Sequence, residues 1–212
     1  MTPEDFIKAN AVVGRAPLVP EIKLYLASEV VSLWRATEEE LASAGLPPPY
    51  WAFAWAGGQA LARYVLDHPV LVRGKRVLDI GAGSGLVGLA ALKAGAADVL
   101  AADIDAFACA AIRLNAAAND CLLTVTQNDL IGTVGVWDVI LIGDLFYERP
   151  LAERLLAWLE SLGALALLGD PGRTYFPKSG VRKLVSYSVQ TPRDLEDREI
   201  RETGVYRLAF GD

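Results

Sequence analysis

Val77-Leu78-Asp79-Ile80-Gly81-Ala82-Gly83-Ser84-Gly85-Leu86 is the stretch on which the reading of the fold turns. A strand-like run, Lys75 to Ile80, enters three glycines at alternate positions, and Leu86 to Ala94 continues as an apolar helix. Glycine permits backbone angles that a Cβ forbids, and main-chain amides at a helix N-terminus can then approach a ligand closely. The stretch predicts a strand, a ligand-holding turn and a helix. A tight turn between strand and helix with no ligand is the plain alternative.

Downstream the same rhythm repeats. Val99 to Ala102, Leu122 to Thr126, Val136 to Ile142 and Ala164 to Leu168 read as strands, and Phe107 to Ala118 and Leu151 to Leu159 as helices. Short, almost wholly apolar strands separated by helices imply a parallel sheet covered on both faces. Lys183 to Thr191 and Gly204 to Phe210 break the alternation and predict a closing antiparallel hairpin, joined by the charged stretch Arg193 to Glu202. Upstream, Thr2-Pro3-Glu4-Asp5 has a hydroxyl cap, a first-turn proline and carboxylates, the signature of a helix start. Glu21 to Ala27 alternates as a short strand with Glu29 to Trp34 as its expected partner. A small helix is expected over 38–46, ahead of Pro47-Pro48-Pro49, and another over Gly57 to Asp67. Residues 1–70 are expected to cap a domain spanning 71–212, the whole forming one structural domain.

Composition narrows the function classes. The chain has 212 residues, enough for one α/β domain, and 53% of them are apolar. No apolar run reaches the roughly 18 to 20 residues of a membrane span, and the acidic, polar N-terminus lacks the layout of a secretory signal. A cytoplasmic protein is the expectation. Net charge is −6 with no Lys/Arg block, which disfavours nucleic acid as a partner and suits a cationic substrate such as a lysine side chain. His68 is the single histidine, and its Asp67-His68-Pro69 setting reads as a helix end. Cys109 and Cys121 lie in apolar stretches and read as core residues. A histidine-based hydrolase triad or a metal site has little to build with, so no metal is expected.

Two ligand classes fit the glycine turn. Gly83-Ser84-Gly85-Leu86-Val87-Gly88 satisfies G-x-G-x-x-G, with Asp103 near the distance a dinucleotide site needs. Counted from Gly81, however, the third required glycine is Leu86, and the charge of Asp79 would oppose a pyrophosphate. S-adenosylmethionine (SAM) carries no phosphate but a sulfonium and an ammonium, and a carboxylate suits both. Asp79, Gly81, Gly83 and Gly85 form D-x-G-x-G-x-G, the SAM form of the motif. Two further acids follow the next strands. Asp103 can accept the ribose hydroxyls. In Asn128-Asp129-Leu130, Asp129 can accept the adenine amino group while backbone amides meet ring nitrogens. Singly, each acid is equally a helix cap; as an ordered set after successive strands they mark a nucleoside site.

Asp144-Leu145-Phe146-Tyr147 follows the fourth strand and puts a carboxylate and a ring beside the sulfonium methyl. Methyl transfer is an in-line displacement, so a nucleophile must be aligned and stripped of water. An acidic and aromatic mouth can hold a lysine cation by ion pairing and cation–π contact before its amine reacts. Tyr147 as a core aromatic is the competing reading.

Here the sequence resembles a known family. DLFY matches the D-x-x-Y motif of seven-strand protein lysine methyltransferases. Pro49-Tyr50-Trp51-Ala52-Phe53-Ala54-Trp55-Ala56-Gly57-Gly58-Gln59-Ala60-Leu61 resembles a segment of the electron transfer flavoprotein β-subunit lysine methyltransferases, and Gly169-Asp170-Pro171-Gly172-Arg173 is similar to their G-D-P-G-R. The resemblance runs from about Pro20 to Phe210, with no departure at the motif positions. It implies a Rossmann-like class I methyltransferase, with a mainly parallel seven-stranded sheet, helices on both faces and an antiparallel C-terminal hairpin. It also implies SAM as cofactor and lysines of the flavoprotein β subunit as acceptors, with a ribosomal stalk protein as a secondary target. Trp55 would line the adenosine pocket, and Asp144 with Tyr147 the lysine channel. From the residues alone, Trp51 and Phe53 serve equally as core, and Trp34 is core. N-methylation of a small amine such as nicotinamide stays open, as does a binding module or NAD(P) enzyme on a similar fold.

Overall fold

The computed structural model describes residues 2–27, 48–191 and 200–209. The strand expected over 29–34 with Trp34, the helix expected over 38–46 and most of the charged stretch 193–202 lie outside them.

Period-two alternation within the strands builds the layers. In β3 (Arg76–Ile80), Val77 faces one core while Leu78 and Ile80 face another; in β6 (Val139–Gly143), Val139 and Leu141 separate from Ile140 and Ile142 in the same way. The first core is closed by α2 (Ala56–Asp67) and α3 (Leu86–Lys93), the second by α5 (Arg149–Leu162). Burial on both sides explains why the inner positions of these strands are apolar on both faces, with Asp79 of β3 the exception. The remaining elements are β4 (Asp98–Ala102), α4 (Ala106–Ala118), β5 (Thr124–Thr126), β7 (Leu165–Asp170), β8 (Val181–Gln190) and β9 (Ile200–Leu208).

Among the described residues a seven-stranded sheet has the order β5-β4-β3-β6-β7-β9-β8, with β9 antiparallel to both its neighbours and the other pairs parallel. This is the doubly wound arrangement expected, with its antiparallel end. The chain leaves β3 toward one edge and returns on the other side at β6. Between the C-terminal ends of β3 and β6 lies the switch-point crevice where such sheets hold ligands.

Several boundaries move for identifiable reasons. β5 is three residues long, not five, because it is an edge strand paired only with β4, and Leu122 is 95% exposed. β6 starts at Val139 because Asp138 latches onto Arg76: its amide donates to the Arg76 carbonyl (2.9 Å) and its carboxylate accepts from the Arg76 amide (2.8 Å). Within the described residues β2 (Val19–Ala27) pairs with the preceding β1 (Ala11–Ala16). Adjacent Val12 and Val13 are both exposed, so β1 carries no alternation for a sequence reader to find. α1 (Pro3–Asn10) starts with a complete capping box between Thr2 and Asp5.

The first turn of α2 lies on the sheet main chain to main chain. A Cβ added to Gly57 would come within 2.2 Å of the Gly169 carbonyl oxygen, and one added to Gly169 within 2.1 Å of the Gly57 carbonyl. The N-terminus of α2 is thereby pressed against the ends of β6 and β7. Gly169→Ala forces backbone apart, and overpacking of this kind costs about 1–3 kcal/mol. We expect the melting temperature to fall by roughly 3–10 °C. At Gly58 the nearest contact of an added Cβ is Val87 at 3.9 Å, so Gly58→Ala should melt at or above the wild-type temperature in the same scan.

Candidate functional site

Four strand ends and one strap enclose a cavity of about 470 Å³ at the switch point. Gly81 and Gly83 after β3, Asp103 after β4, and Asn128, Asp129 and Leu130 after β5 line one part. Asp144 and Tyr147 after β6, with Trp55 from the strap before α2, line the other. The structure thus gathers nine of the eleven residues read from the sequence around one space. Asp79 and Gly85 are not among its lining.

The alternation of β3 explains Asp79. Its side chain shares the face of Val77 beneath α3, is 1% exposed, and accepts the Gly88 amide at 2.7 Å. Burial pushes its carboxyl up to about 7, opposed by that amide and assisted by the charge of Asp103. Asp79 therefore pins α3 to the sheet and shapes the turn from behind. The direct attraction to a cofactor cation expected from the sequence is not what its position provides. Gly85 caps α3 with φ +77°, facing Ile112. Gly81 has φ +61°, and a Cβ there would meet Leu145 at 2.4 Å, so the glycine turn and the turn after β6 interlock.

Asp103 receives the Gly83 amide (2.8 Å) and the Asp105 amide (3.0 Å), tying the end of β4 to the glycine turn; burial raises its pKa. Asp129 pairs with Arg154 (2.7 Å) and accepts the Ile131 amide (3.0 Å), so its carboxylate already braces the wall where an adenine amino group was expected to bind. The cavity lining holds four acids (Asp103, Asp105, Asp129 and Asp144) and two bases, and each base, Arg154 and Arg173, is ion-paired to one of those acids. Such a lining fits a cationic nucleoside and offers a pyrophosphate little.

Asp144 is 7% exposed and sits at φ +59°, a left-handed conformation uncommon for a residue with a side chain. One carboxylate oxygen accepts the amides of Gly57 and Gly58, the latter at 3.3 Å. The other accepts Nε and Nη2 of Arg173, at 2.9 and 2.8 Å. Both oxygens are engaged within the protein, which removes the free anion expected to pair with a lysine. Tyr147 lies at the rim, 42% exposed, its ring centroid 6.0 Å from that of Tyr50. Burial pushes its phenol up to about 12, with the Tyr50 and Glu148 charges adding to the effect. The hydroxyl stays protonated near neutral pH.

Sequence reasoning missed several contributors. Tyr50, Asp105, Arg154 and Arg173 line the cavity. Buried Asn115 joins the glycine turn to the N-terminal hairpin, donating to the Ser84 carbonyl (2.8 Å) and accepting the Tyr25 amide (2.7 Å). Only the G-D-P-G-R match pointed at Arg173, and nothing in the local pattern distinguishes Asn115 from a solvent-facing residue. Trp51 and Phe53 prove to be core, packed with Ile7 against α4. His68 ends α2, its ring 4.1 Å from Tyr64.

This strand order, with a glycine turn at the switch point and acids on successive strand ends, defines a class I SAM-dependent methyltransferase. The fold is shared with the SAM-bound magnesium protoporphyrin IX methyltransferase of Synechocystis PCC 6803, at a TM-score of 0.56 and 17% identity over 72% of this chain and 80% of that one. The chain belongs to the electron transfer flavoprotein β-subunit lysine methyltransferase family. It is 40% identical to the Xenopus laevis protein over 96% of this chain and 86% of that protein, and 38% identical to the Homo sapiens protein over 87% and 73%. Residues 60–143 also match the family model of PrmA, ribosomal protein L11 methyltransferase.

Two buried acids make stability depend on pH. Asp79 is raised to about 7 and Asp170 to about 6, in both cases chiefly by burial. Folding raises both pKa values, so the folded state holds more protons than the unfolded chain between about pH 4 and 7. The stability these groups contribute is present below their unfolded pKa and is lost as pH rises through 6–7. Asp79→Asn keeps an oxygen for the Gly88 amide and removes one titration. The fall in melting temperature between pH 5.5 and 8 should be smaller in Asp79→Asn than in wild type. Identical slopes would show that Asp79 does not titrate in this range.

Proposed function

We propose that this protein transfers methyl groups from SAM to lysine side chains of a protein substrate, with the electron transfer flavoprotein β subunit as the first target. The observation that carries this reading is identity of about 40% along nearly the whole chain to proteins named for that activity. The PrmA match covers residues 60–143 and stops just before Asp144, so it supports the methyl donor and is silent on the acceptor. A ribosomal stalk protein is therefore a secondary target to be tried in the same assay.

SAM supplies an electrophilic methyl on a sulfonium. In this reading Gly81, Gly83, Asp103 and the 128–130 turn hold its nucleoside, and Trp55 flanks it. Asp144 and Tyr147 carry the acceptor side, in different ways. Asp144 acts by fixing the turn after β6, because its oxygens are occupied by Gly57, Gly58 and Arg173. Tyr147 and Tyr50 present ring faces to the incoming ammonium. A lysine in water has a reference pKa of about 10.4. Entry between rings desolvates the ammonium and favours loss of its proton to solvent before the amine attacks. With its phenol near 12, Tyr147 orients the amine by hydrogen bonding and does not take that proton as a phenolate.

Labelled SAM, purified flavoprotein β subunit and a purified stalk protein give the direct test. Label on the β subunit, mapped to lysine by mass spectrometry, is the expected result; label confined to small amines would overturn the reading. Asp103→Ala should weaken binding of S-adenosylhomocysteine by about 1.5–3 kcal/mol, the range for hydrogen bonds to a charged group, as read by calorimetry. Tyr147→Phe should slow single-turnover transfer, because the hydroxyl that orients the amine is lost, while leaving that affinity within about threefold, because the nucleoside is held at the earlier strand ends.

A further inference from the structure

We infer that Arg173 is a positioning residue for methyl transfer, the clasp that closes a ring of side chains around the mouth of the cavity. The ring can be followed residue by residue. The Arg173 guanidinium carbon lies 5.8 Å from the centre of the Trp55 ring. Trp55 packs edge-on against Tyr50, with centroids 5.9 Å apart, and its Nε1 donates to the Tyr50 carbonyl at 2.9 Å. Tyr50 meets Tyr147 at 6.0 Å. Tyr147 ends the turn that begins at Asp144, and Asp144 returns to Arg173 through two nitrogens converging on one oxygen.

Arg173 is itself held from below. Asp170 at the end of β7 is 1% exposed, and its Oδ1 accepts the amides of Gly172 (2.6 Å) and Arg173 (2.7 Å). That turn aims the guanidinium into the cavity. Arg173, from a third segment, thus contacts both the strap before α2 and the turn after β6, and those two segments carry the aromatic rings proposed to face the amine. A lysine at this position keeps the charge but cannot direct two fixed nitrogens at one oxygen while its charged group also lies near a ring face. The kinetic consequence rests on the methyl-transfer reading above; the structural one does not.

The test therefore has two arms. Hydrogen–deuterium exchange, run without any acceptor, should show faster exchange in Arg173→Met than in wild type over both 48–56 and 143–149, with a smaller rise in Arg173→Lys. No rise in either segment would overturn the clasp, whatever the enzyme methylates. In the second arm, Arg173→Met should lower kcat for transfer by about ten- to a hundredfold, the scale of an ångström-level misplacement. Its affinity for S-adenosylhomocysteine should stay within about threefold of wild type, which also certifies that the variant is folded. If Arg173 acts through Asp144, adding Arg173→Met to Asp144→Asn should cost little beyond the worse single variant. Losses that multiply, or a loss of cofactor affinity that matches the loss of rate, would overturn the assignment. Should Arg173→Met fail to fold, the cycle is run with Arg173→Lys. Absence of any transfer by the wild-type enzyme would sink the acceptor reading and leave the exchange result standing.

Discussion

A buried carboxylate is costly unless its oxygens find donors, and the placement of Asp144 depends on how that demand is met. Its charge lies at the positive end of a twelve-residue helix, accepting the first free amides of α2, and opposite the guanidinium of Arg173. Holding a residue with a side chain at φ +59° costs on the order of 1–3 kcal/mol. The same carboxylate bonds offset that cost by locking the turn. Three segments far apart in sequence, the strap with α2, the turn after β6 and the loop after β7, are thereby fixed to one another at a single atom group. The cavity mouth is what lies between them.

The cofactor side is built on a different logic, in which backbone holds backbone and side chains serve as braces. Asp79 ties α3 to β3, Asp103 ties the glycine turn to the end of β4, and Asn115 ties the same turn to the N-terminal hairpin. Each brace ends on a main-chain amide or carbonyl of the turn or of the helix behind it. A cleft fixed in this way needs little rearrangement to receive a nucleoside, so binding loses less conformational entropy. The three acids expected to touch the cofactor thus divide: Asp103 and Asp129 line the cavity, while Asp79 works from beneath.

What was legible in the sequence follows from what each feature is made of. Strands buried on both faces announce themselves as apolar runs, which is why β3, β4, β6 and β7 and their helices were found within a few residues. The edge strand β5 and the exposed strand β1 carry weak or misleading patterns, because Leu122, Val12 and Val13 face solvent. The glycine turn and the acids after β4 and β5 were readable because ligand geometry requires residue types at fixed offsets from a strand end. The saturation of Asp144 was not, since its partners, Gly57, Gly58 and Arg173, lie some 87, 86 and 29 positions away and sequence spacing says nothing about them. For the same reason Asp79 was assigned a charge-bearing role that its burial withholds.

The contact between Gly57 and Gly169 has a consequence for how such a site can change over generations. Where side chains meet, a methyl group gained or lost can nudge two elements by fractions of an ångström and tune the space between them. Where main chain meets main chain there is no rotamer to swap and no volume to trim. The distance of the first turn of α2 from the end of β7 is therefore set by the dimensions of the peptide unit itself. Variation in what the mouth accepts is left to the exposed rings at Tyr50 and Tyr147, which can be exchanged without moving that contact.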